Sequence, residues 1–319
     1  MLQERQGIAV DVAPDAAHGG LAAATQRGSD GTQSIERAIA VLRMLATRGR
    51  LGWGLTDIAL ACGLTKATTH RILARLERER MVHRRPADAQ YFVGPLACDL
   101  AYSVPGFPGF VQQVQVELTE LCRSHRVVTA LTLRSGDHFV LIGRVAPLHY
   151  SGELHEIGAR RPLMTSSAGI AMLLAMPEAE RAAIVHSNLA LISQNGNKRT
   201  DEYRAVLARS LACGYGANFG DLVHGLNSLA IALTDGAGRP FGSLSFADAY
   251  HHLPAEQAGY WIMELRRAAP RFVQLAAMVH PRIYVPEQHD IAGVASNSEA
   301  QPCTSGAAAW EGISGRAIA

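Results

Sequence analysis

The chain has 319 residues, of which 48% are apolar and 18% charged, and its formal net charge is +2. This length and composition are typical of a soluble globular protein with one large or two smaller hydrophobic cores. No run of about 18 apolar residues suggests a membrane-spanning helix, and Glu4, Arg5, Asp11 and Asp15 interrupt the place of a signal-peptide core, so we expect a cytoplasmic protein.

Both ends of the chain lack helical or strand periodicity. Residues 1–31 and 284–319 are rich in small and polar residues, and we expect them to be disordered tails. The pattern of elements between them predicts an N-terminal unit at 32–100, a linker with the start of a helix at 101–112, and a larger unit at 113–283.

The N-terminal unit is predicted to contain three helices and a hairpin. Thr56 and Thr65 are good N-cap residues for the second and third helices, and Gly63 marks the turn between them. Residues 86–89, with sequence PADA, suit the turn of the hairpin. The predicted bounds are 34–49, 56–63 and 66–80 for the helices, and 81–84 and 90–93 for the strands.

The second and third helices, with the turn between them, indicate a helix-turn-helix. In that motif the second helix enters the major groove and its N-terminal residues reach the base edges. An apolar stripe at 69, 72, 73 and 76 should face the core. The residues that this leaves for DNA contact are Lys66, Thr68, His70, Arg71 and Arg75 on the helix, and Arg84 and Arg85 on the hairpin.

Positive charge is concentrated in the same unit. Residues 32–100 hold 11 Lys and Arg against 6 Asp and Glu, whereas the rest of the chain has more acidic than basic residues. A positive field confined to a small unit suits a phosphate backbone as partner. A solvated basic face on a structural three-helix subdomain would carry the same charges, so charge alone leaves both interpretations open.

The second half alternates helices with strands that turn signals join in pairs. Residues 135–137 (SGD) and 235–238 (DGAG) predict two hairpins. Hairpins with helices grouped around them indicate an α+β fold with an antiparallel sheet. Helices are predicted at 108–125, 166–175, 177–188, 200–213 and 254–279, and strands at 127–134, 138–145, 228–234 and 241–247.

Four N-terminal segments give more specific evidence of a protein family than composition or spacing does. They are 34–38 (SIERA), 55–59 (LTDIA), 63–73 (GLTKATTHRIL) and 91–95 (YFVGP). They resemble the IclR family of bacterial transcriptional regulators, and the resemblance extends over about residues 33–280. It implies a winged helix-turn-helix that binds double-stranded operator DNA and a GAF-like domain that binds a small-molecule effector. It also implies assembly as a homodimer or a dimer of dimers, and we expect no cofactor.

The segment at 158–169 resembles the lead into that family's ligand pocket, where amides at a small-residue helix N-terminus approach a ligand carboxylate. Asn218 stands where relatives often carry an acidic residue, and Ser228 where they often carry Cys. We therefore expect a pocket that tolerates an anion, such as a small organic or aromatic acid. Gly169 is expected to lie against the ligand with no room for a side chain. Capping and turn chemistry is the alternative for all these positions. The implied effector contacts are Ala168, Gly169, Asn218, Ser228 and Ser245.

Other site chemistry is not supported by the sequence. Five cysteines without a CxxC pair argue against a disulfide framework or a zinc site, and four of them are expected to be buried thiols. The glycines of 214–220 have the wrong spacing for a dinucleotide loop, and we interpret this segment as a flexible connection. No metal site is expected, because the nearest candidates are interpreted as exposed loop histidines: His149, His155, His251 and His252.

The leading hypothesis is therefore a ligand-responsive transcription factor, in which a metabolite changes the relative placement of the DNA-binding units. One alternative is an enzyme with a nucleic-acid tether, although no paired carboxylates and no nucleophile–base set can be assembled from the sequence. The other alternative is a structural DNA-binding protein that has no ligand.

Overall fold

A computed structural model of the chain describes residues 30–49, 51–152, 155–194 and 199–279. The expected tails, 1–31 and 284–319, lie outside the described residues apart from positions 30 and 31, with which the first helix begins. Among the helices of the described ranges, none has the length and apolar character that crossing a membrane would require.

The N-terminal part contains the predicted helices and hairpin. Its helices are α1 (Asp30–Leu45), α2 (Leu55–Ala61) and α3 (Lys66–Arg78), and its antiparallel strands are β1 (Val82–Arg84) and β2 (Tyr91–Val93). Trp53 and Tyr91 exchange backbone hydrogen bonds, which attaches an extended segment to the hairpin. The buried core that these elements share is Val41, Leu45, Trp53, Ile58, Leu73, Val82 and Tyr91.

The two predicted helix caps differ in outcome. Thr65 caps α3, because its Oγ1 accepts a hydrogen bond from the Thr68 amide at 3.2 Å. Such a cap contributes about 1 kcal/mol to helix stability. The prediction that Thr56 caps α2 is wrong: the helix begins one residue earlier, and its N-cap residue is Gly54, which has no side chain to form a cap.

A helix that the sequence did not predict follows the hairpin. It is α4 (Leu96–Ser103), and it precedes the predicted long helix α5 (Phe107–His125). None of the residues of α4 is buried, so it lacks the covered apolar stripe on which helix prediction depends. Gly106, with φ of +80°, separates the two helices, and a Cβ at this position would lie 2.8 Å from the carbonyl oxygen of Met278.

The C-terminal part is built on a six-stranded antiparallel sheet in the order β5-β4-β3-β8-β7-β6, which confirms the α+β prediction. The strands are β3 (Val128–Ser135), β4 (His138–Val145), β5 (Arg160–Pro162), β6 (Gly216–Phe219), β7 (Leu226–Thr234) and β8 (Pro240–Ala249). Both predicted hairpins form, as β3–β4 and β7–β8.

The two edge strands were not predicted. The interpretation of 214–220 as a flexible connection is wrong, because its central residues form β6 and pair with β7. Short edge strands have one neighbour and little periodicity, and glycine weakens the strand signal further. The strand β5 has only three residues and pairs with β4.

The two faces of the sheet are covered by different helices. Successive residues of a strand point to opposite faces of the sheet. Leu244 and Phe246 of β8 lie on one face, where they belong to the core formed with α5 and α9 (Ala258–Met278). On the other face, Ala230 of β7 packs against Ala168 and Ala171 of α6 (Ser167–Leu174). The remaining helices are α7 (Glu178–Gln194) and α8 (Thr200–Cys213).

The cysteines are less buried than expected. Cys122 is buried, and partial burial raises the pKa of the Cys62 thiol to about 11. Cys98 and Cys213 are exposed, so the prediction of four buried thiols is wrong. Apolar neighbours in sequence do not bury a residue on a helix face that nothing covers, as for Cys98 in α4. Cys303 lies outside the described residues.

Candidate DNA-binding and effector sites

The helix α3 presents a polar and basic face to solvent. Its inward face carries Thr69 and Leu73, both fully buried. The outward face carries four of the residues predicted to contact DNA, all exposed: Lys66, His70, Arg71 and Arg75. Because the first three lie in the first two turns after the Thr65 cap, they occupy the part of the helix that meets base edges in this motif.

Two of the predicted DNA contacts on α3 are already engaged within the protein. Thr68 is half-buried, and its Oγ1 accepts a hydrogen bond from Thr65 Oγ1 at 2.9 Å. The Arg75 guanidinium lies 2.6 Å from the carboxylate of Glu79, on a pair whose side chains are 71% and 54% exposed. An ion pair as exposed as this is weak, so a DNA phosphate can compete for Arg75.

The two hairpin arginines have different environments. The guanidinium of Arg85 donates to both carboxylate oxygens of Asp88, at 2.8 and 2.5 Å, and lies 4.6 Å from the Phe92 ring centroid. This hydrogen-bonded guanidinium lowers the pKa of the Asp88 carboxyl. Arg84 is exposed and lies 5.6 Å from the ring of Tyr91. Its charge is therefore the more accessible of the two.

This difference gives a prediction for the salt dependence of DNA binding. The variant Arg84→Ala is expected to reduce the slope of log affinity against log salt by about 0.9, the value for one phosphate contact. Arg85→Ala is expected to reduce it less, because Asp88 already neutralises Arg85. Fluorescence anisotropy with a random-sequence duplex between about 50 and 200 mM salt measures both slopes. Asp88→Asn is the matched control and should steepen the slope, whereas equal losses for the two arginines would contradict the prediction.

The predicted effector residues lie together around the N-terminus of α6. Asn218 on β6 and Ser228 on β7 are cross-strand partners, and Ser245 on β8 pairs with Ala230 one step further along the same face. Ala168 lies above this face, in contact with Ala230. Small side chains thus line a sheet face that the first turn of α6 covers.

The polar side chains of this group form hydrogen bonds with other groups of the protein. Ser228 Oγ lies 2.8 Å from Ser167 Oγ, in the first turn of α6. The Asn218 side chain donates to the Leu226 carbonyl at 3.2 Å and accepts from the Leu222 amide at 3.0 Å, so it stabilises the turn between β6 and β7. Ser245 Oγ has a distant acceptor, the carbonyl oxygen of Ala130 at 3.5 Å.

Gly169 is enclosed by the protein itself. Its amide donates to the Oγ of Ser166, the N-cap of α6, at 3.1 Å. A Cβ at this position would lie 2.1 Å from the carbonyl oxygen of Leu163. The expected lack of room for a side chain is therefore present, but backbone packing is its cause, and the amide that was expected to meet a ligand carboxylate is used by the cap.

The charge beside this region is balanced. Arg209 of α8 donates to both carboxylate oxygens of Asp221, at 2.5 and 2.9 Å, and this contact lowers the pKa of Asp221. The carboxylate that follows β6 is thus neutralised by a partner, and Asn218 is uncharged. An anion bound near Asn218 would therefore not be repelled by an unpaired Asp221 carboxylate.

A separate cleft of about 740 Å³ lies towards the other end of α6. It is lined by the C-terminal half of that helix, residues 231–234 of β7, and one side of α9 that includes Arg266 and Pro270. None of the five predicted effector residues lines it. The cleft is thus a second place at which a small molecule could bind the same part of the protein.

Comparisons with known proteins agree with this architecture. A family model described as the IclR helix-turn-helix domain matches residues 34–86, and another, described as the C-terminal domain of the bacterial transcriptional regulator IclR, matches residues 109–273. The glycerol operon regulatory protein of Streptomyces coelicolor is 29% identical over 224 residues, which cover 70% of this chain and 87% of that protein.

Two solved structures share the fold. An IclR family transcriptional regulator from Brucella abortus matches with a TM-score of 0.62 at 21% identity, over 84% of this chain and 98% of that chain. An IclR homolog from Microbacterium hydrocarbonoxydans, solved as a complex with 4-hydroxybenzoate, matches with a TM-score of 0.52 at 19% identity, over 76% of this chain and 99% of that one.

Proposed function

The chain belongs to the IclR family of bacterial transcriptional regulators, and from this premise we propose that an effector bound beside the N-terminus of α6 changes its affinity for operator DNA. The DNA-binding surface of the proposal is α3 with the β1–β2 hairpin. The observation that carries it is the exposed group of Lys66, His70 and Arg71 at the start of a capped helix. Cationic and imidazole groups at this place can bond base edges and phosphates.

A dimer is part of the proposal. One recognition helix covers a short stretch of DNA, whereas two copies related by a two-fold axis read half-sites about 34–36 Å apart. A small change in the distance between the two α3 helices then changes operator affinity strongly. We propose that the chain acts in the cytoplasm as a homodimer or as a dimer of dimers.

The proposed effector is a small organic or aromatic acid. The Ile170 amide donates to the Ser166 carbonyl, as expected for a bond at the start of a helix. The amides of Ser167 and Ala168 come before it, in the first turn of α6. Amides in the first turn of a helix favour a bound anion. The neutral Asn218 and the paired Asp221 remove a repulsive charge. The 4-hydroxybenzoate complex of the Microbacterium homolog supports the same class of ligand.

An enzyme is the less favoured alternative. The relatives are named as regulators, and Asp221, a carboxylate close to the proposed pocket, is held by Arg209. A DNA-binding protein without a ligand is the second alternative. Reciprocal coupling between a small acid and DNA separates the proposal from both alternatives, because each of them lacks it.

The test uses full-length protein and an operator that it selects from random duplexes. We expect that a panel of small carboxylates, including 4-hydroxybenzoate, contains a compound that changes operator affinity by about 5- to 150-fold, as is typical of allosteric coupling. Ser228→Leu should abolish the binding of that compound in calorimetry and leave compound-free operator affinity within about two-fold, because its side chain would fill the space beside Ser167.

Thr234→Leu is the matched control, since it lies on the same strand but lines the cleft. It should leave effector binding unchanged. If Thr234→Leu abolishes effector binding and Ser228→Leu does not, the effector lies in the cleft and the proposed pocket is wrong. If no carboxylate changes operator affinity, the effector class is wrong. Thermal melting of both variants verifies that they fold.

A further inference from the structure

A group of metal-ligand side chains lies at the end of β8. The ring Nε2 of His149 lies 3.4 Å from Asp248 Oδ2, and the ring Nδ1 of His252 lies 3.2 Å from Asp248 Oδ1. One ligand atom from each residue falls within 4.8 Å of the other two. Three segments contribute to the group: the loop after β4, the end of β8, and the turn that leads to α9.

Asp248 is the unusual member of this group. It is only 1% exposed, and its Oδ2 has no hydrogen-bond partner among the residues that the structure describes. Burying a carboxylate oxygen without a partner costs free energy, so such an atom calls for an explanation. Its Oδ1 accepts from the Ala249 amide at 2.8 Å, which fixes the orientation of the carboxylate. The unpartnered Oδ2 then faces the ring of His149.

We propose that His149, Asp248 and His252 form a binding site for a zinc-type divalent transition metal ion. Two imidazoles and one carboxylate are a ligand set that Zn²⁺ accepts, whereas Mg²⁺ and Ca²⁺ prefer all-oxygen sites. A tetrahedral site with bonds of about 2.0–2.1 Å has ligand–ligand distances of about 3.3–3.4 Å. Each imidazole nitrogen lies close to this distance from one carboxylate oxygen, Nε2 of His149 from Oδ2 and Nδ1 of His252 from Oδ1, and a single ion requires the two rings to converge on it.

The three ligands differ in rigidity. Asp248 belongs to a strand paired with β7, and its Oδ1 is also hydrogen-bonded to His252 Nδ1 four residues later. His149 lies outside the strands, and its side chain is 28% exposed. A metal ion therefore attaches the loop after β4 to the sheet, and the fourth coordination position is left for water or a ligand.

The site lies on the opposite face of the sheet from the predicted effector residues. Asp248 lies three positions after Ser245 on β8, which is an odd offset, and the two side chains thus point to different faces. The metal site is for this reason separate from the proposed effector pocket. The sequence predicts no metal site here because the histidines alone have no ligand spacing, and Asp248 is far from His149 along the chain.

Equilibrium dialysis of the tag-free, full-length chain with Zn²⁺ tests the proposal. We expect about one high-affinity Zn²⁺ per chain, and Co²⁺ should bind in its place with the visible absorption of a tetrahedral site. Asp248→Asn keeps the size of the side chain, and His149→Ala changes an exposed loop position. Each should weaken Zn²⁺ binding by roughly 10- to 100-fold or more.

His186→Ala is the matched control, because His186 is an exposed histidine on α7, outside the group. It should bind Zn²⁺ like the unsubstituted chain. The proposal is overturned if the chain binds no Zn²⁺, or if the three variants bind it equally. Thermal melting without metal verifies the fold of each variant, and loss of binding in a folded His149→Ala variant supports the site even if Asp248→Asn fails to fold.

Discussion

The variant Arg71→Ala is expected to lose most of its operator affinity while its thermal stability stays unchanged. Arg71 is exposed in the second turn of α3, so its removal leaves no cavity. The loss of one base-edge contact costs roughly 1–3 kcal/mol, which corresponds to about a 5- to 150-fold weaker affinity. Gel-shift titration against the selected operator and a scrambled duplex measures the loss.

The scrambled duplex shows what kind of contact is lost. A base-edge contact predicts a large loss on the operator and a small loss on scrambled DNA, because phosphate contacts are independent of sequence. Arg78→Ala removes the same charge from the C-terminal end of the same helix and should have a small effect on both duplexes. If the Arg71 and Arg78 variants behave alike, Arg71 contributes positive charge to DNA binding and does not recognise the base sequence.

The second large effect is expected at Gly169. The variant Gly169→Ala should lower the free energy of unfolding by about 1–3 kcal/mol or more, because its Cβ would overlap the Leu163 carbonyl oxygen and force the backbone to move. Alanine is otherwise the better helix former by about 1 kcal/mol, so the sign of the effect depends on this overlap. Urea denaturation of the full-length protein measures it.

Gly259 provides the matched control, since it lies in α9 and a Cβ there would meet nothing within 4 Å. Gly259→Ala should leave stability equal or slightly higher. A Gly169→Ala variant as stable as the unsubstituted chain would mean that α6 can move away from Leu163. In that case the contact with an effector that the sequence implied for Gly169 would again be possible.

The sequence predicted what local chemistry determines. The Thr65 cap and the polar face of α3 follow from residues close together in the chain, and the hairpin turns follow from their glycines. The strand β6 and the helix α4 were missed because an edge strand and an uncovered helix leave little periodicity. The strand β6 is defined by its pairing with β7, which a local pattern does not contain.

The candidate sites show the same division. The resemblance named residues that do lie together around the start of α6, but it could not show that the Leu163 backbone fills the space beside Gly169. Likewise, Arg84 and Arg85 look equivalent in sequence, but only the structure shows that Arg85 forms an ion pair with Asp88. The group around Asp248 depends on β4 and β8 belonging to one sheet, which is a property of tertiary structure.

The pleat of β8 also has a consequence for how this protein can evolve. Substitutions at Ser243, Ser245 and Ala247 change the face beneath α6, whereas those at Leu244, Phe246 and Asp248 change the opposite face. Single nucleotide changes can thus alter one face while leaving the side chains of the other in place. The proposed effector pocket on one side and the proposed metal site on the other can thus diverge independently among descendants of this gene, although residues of both are encoded within six consecutive codons.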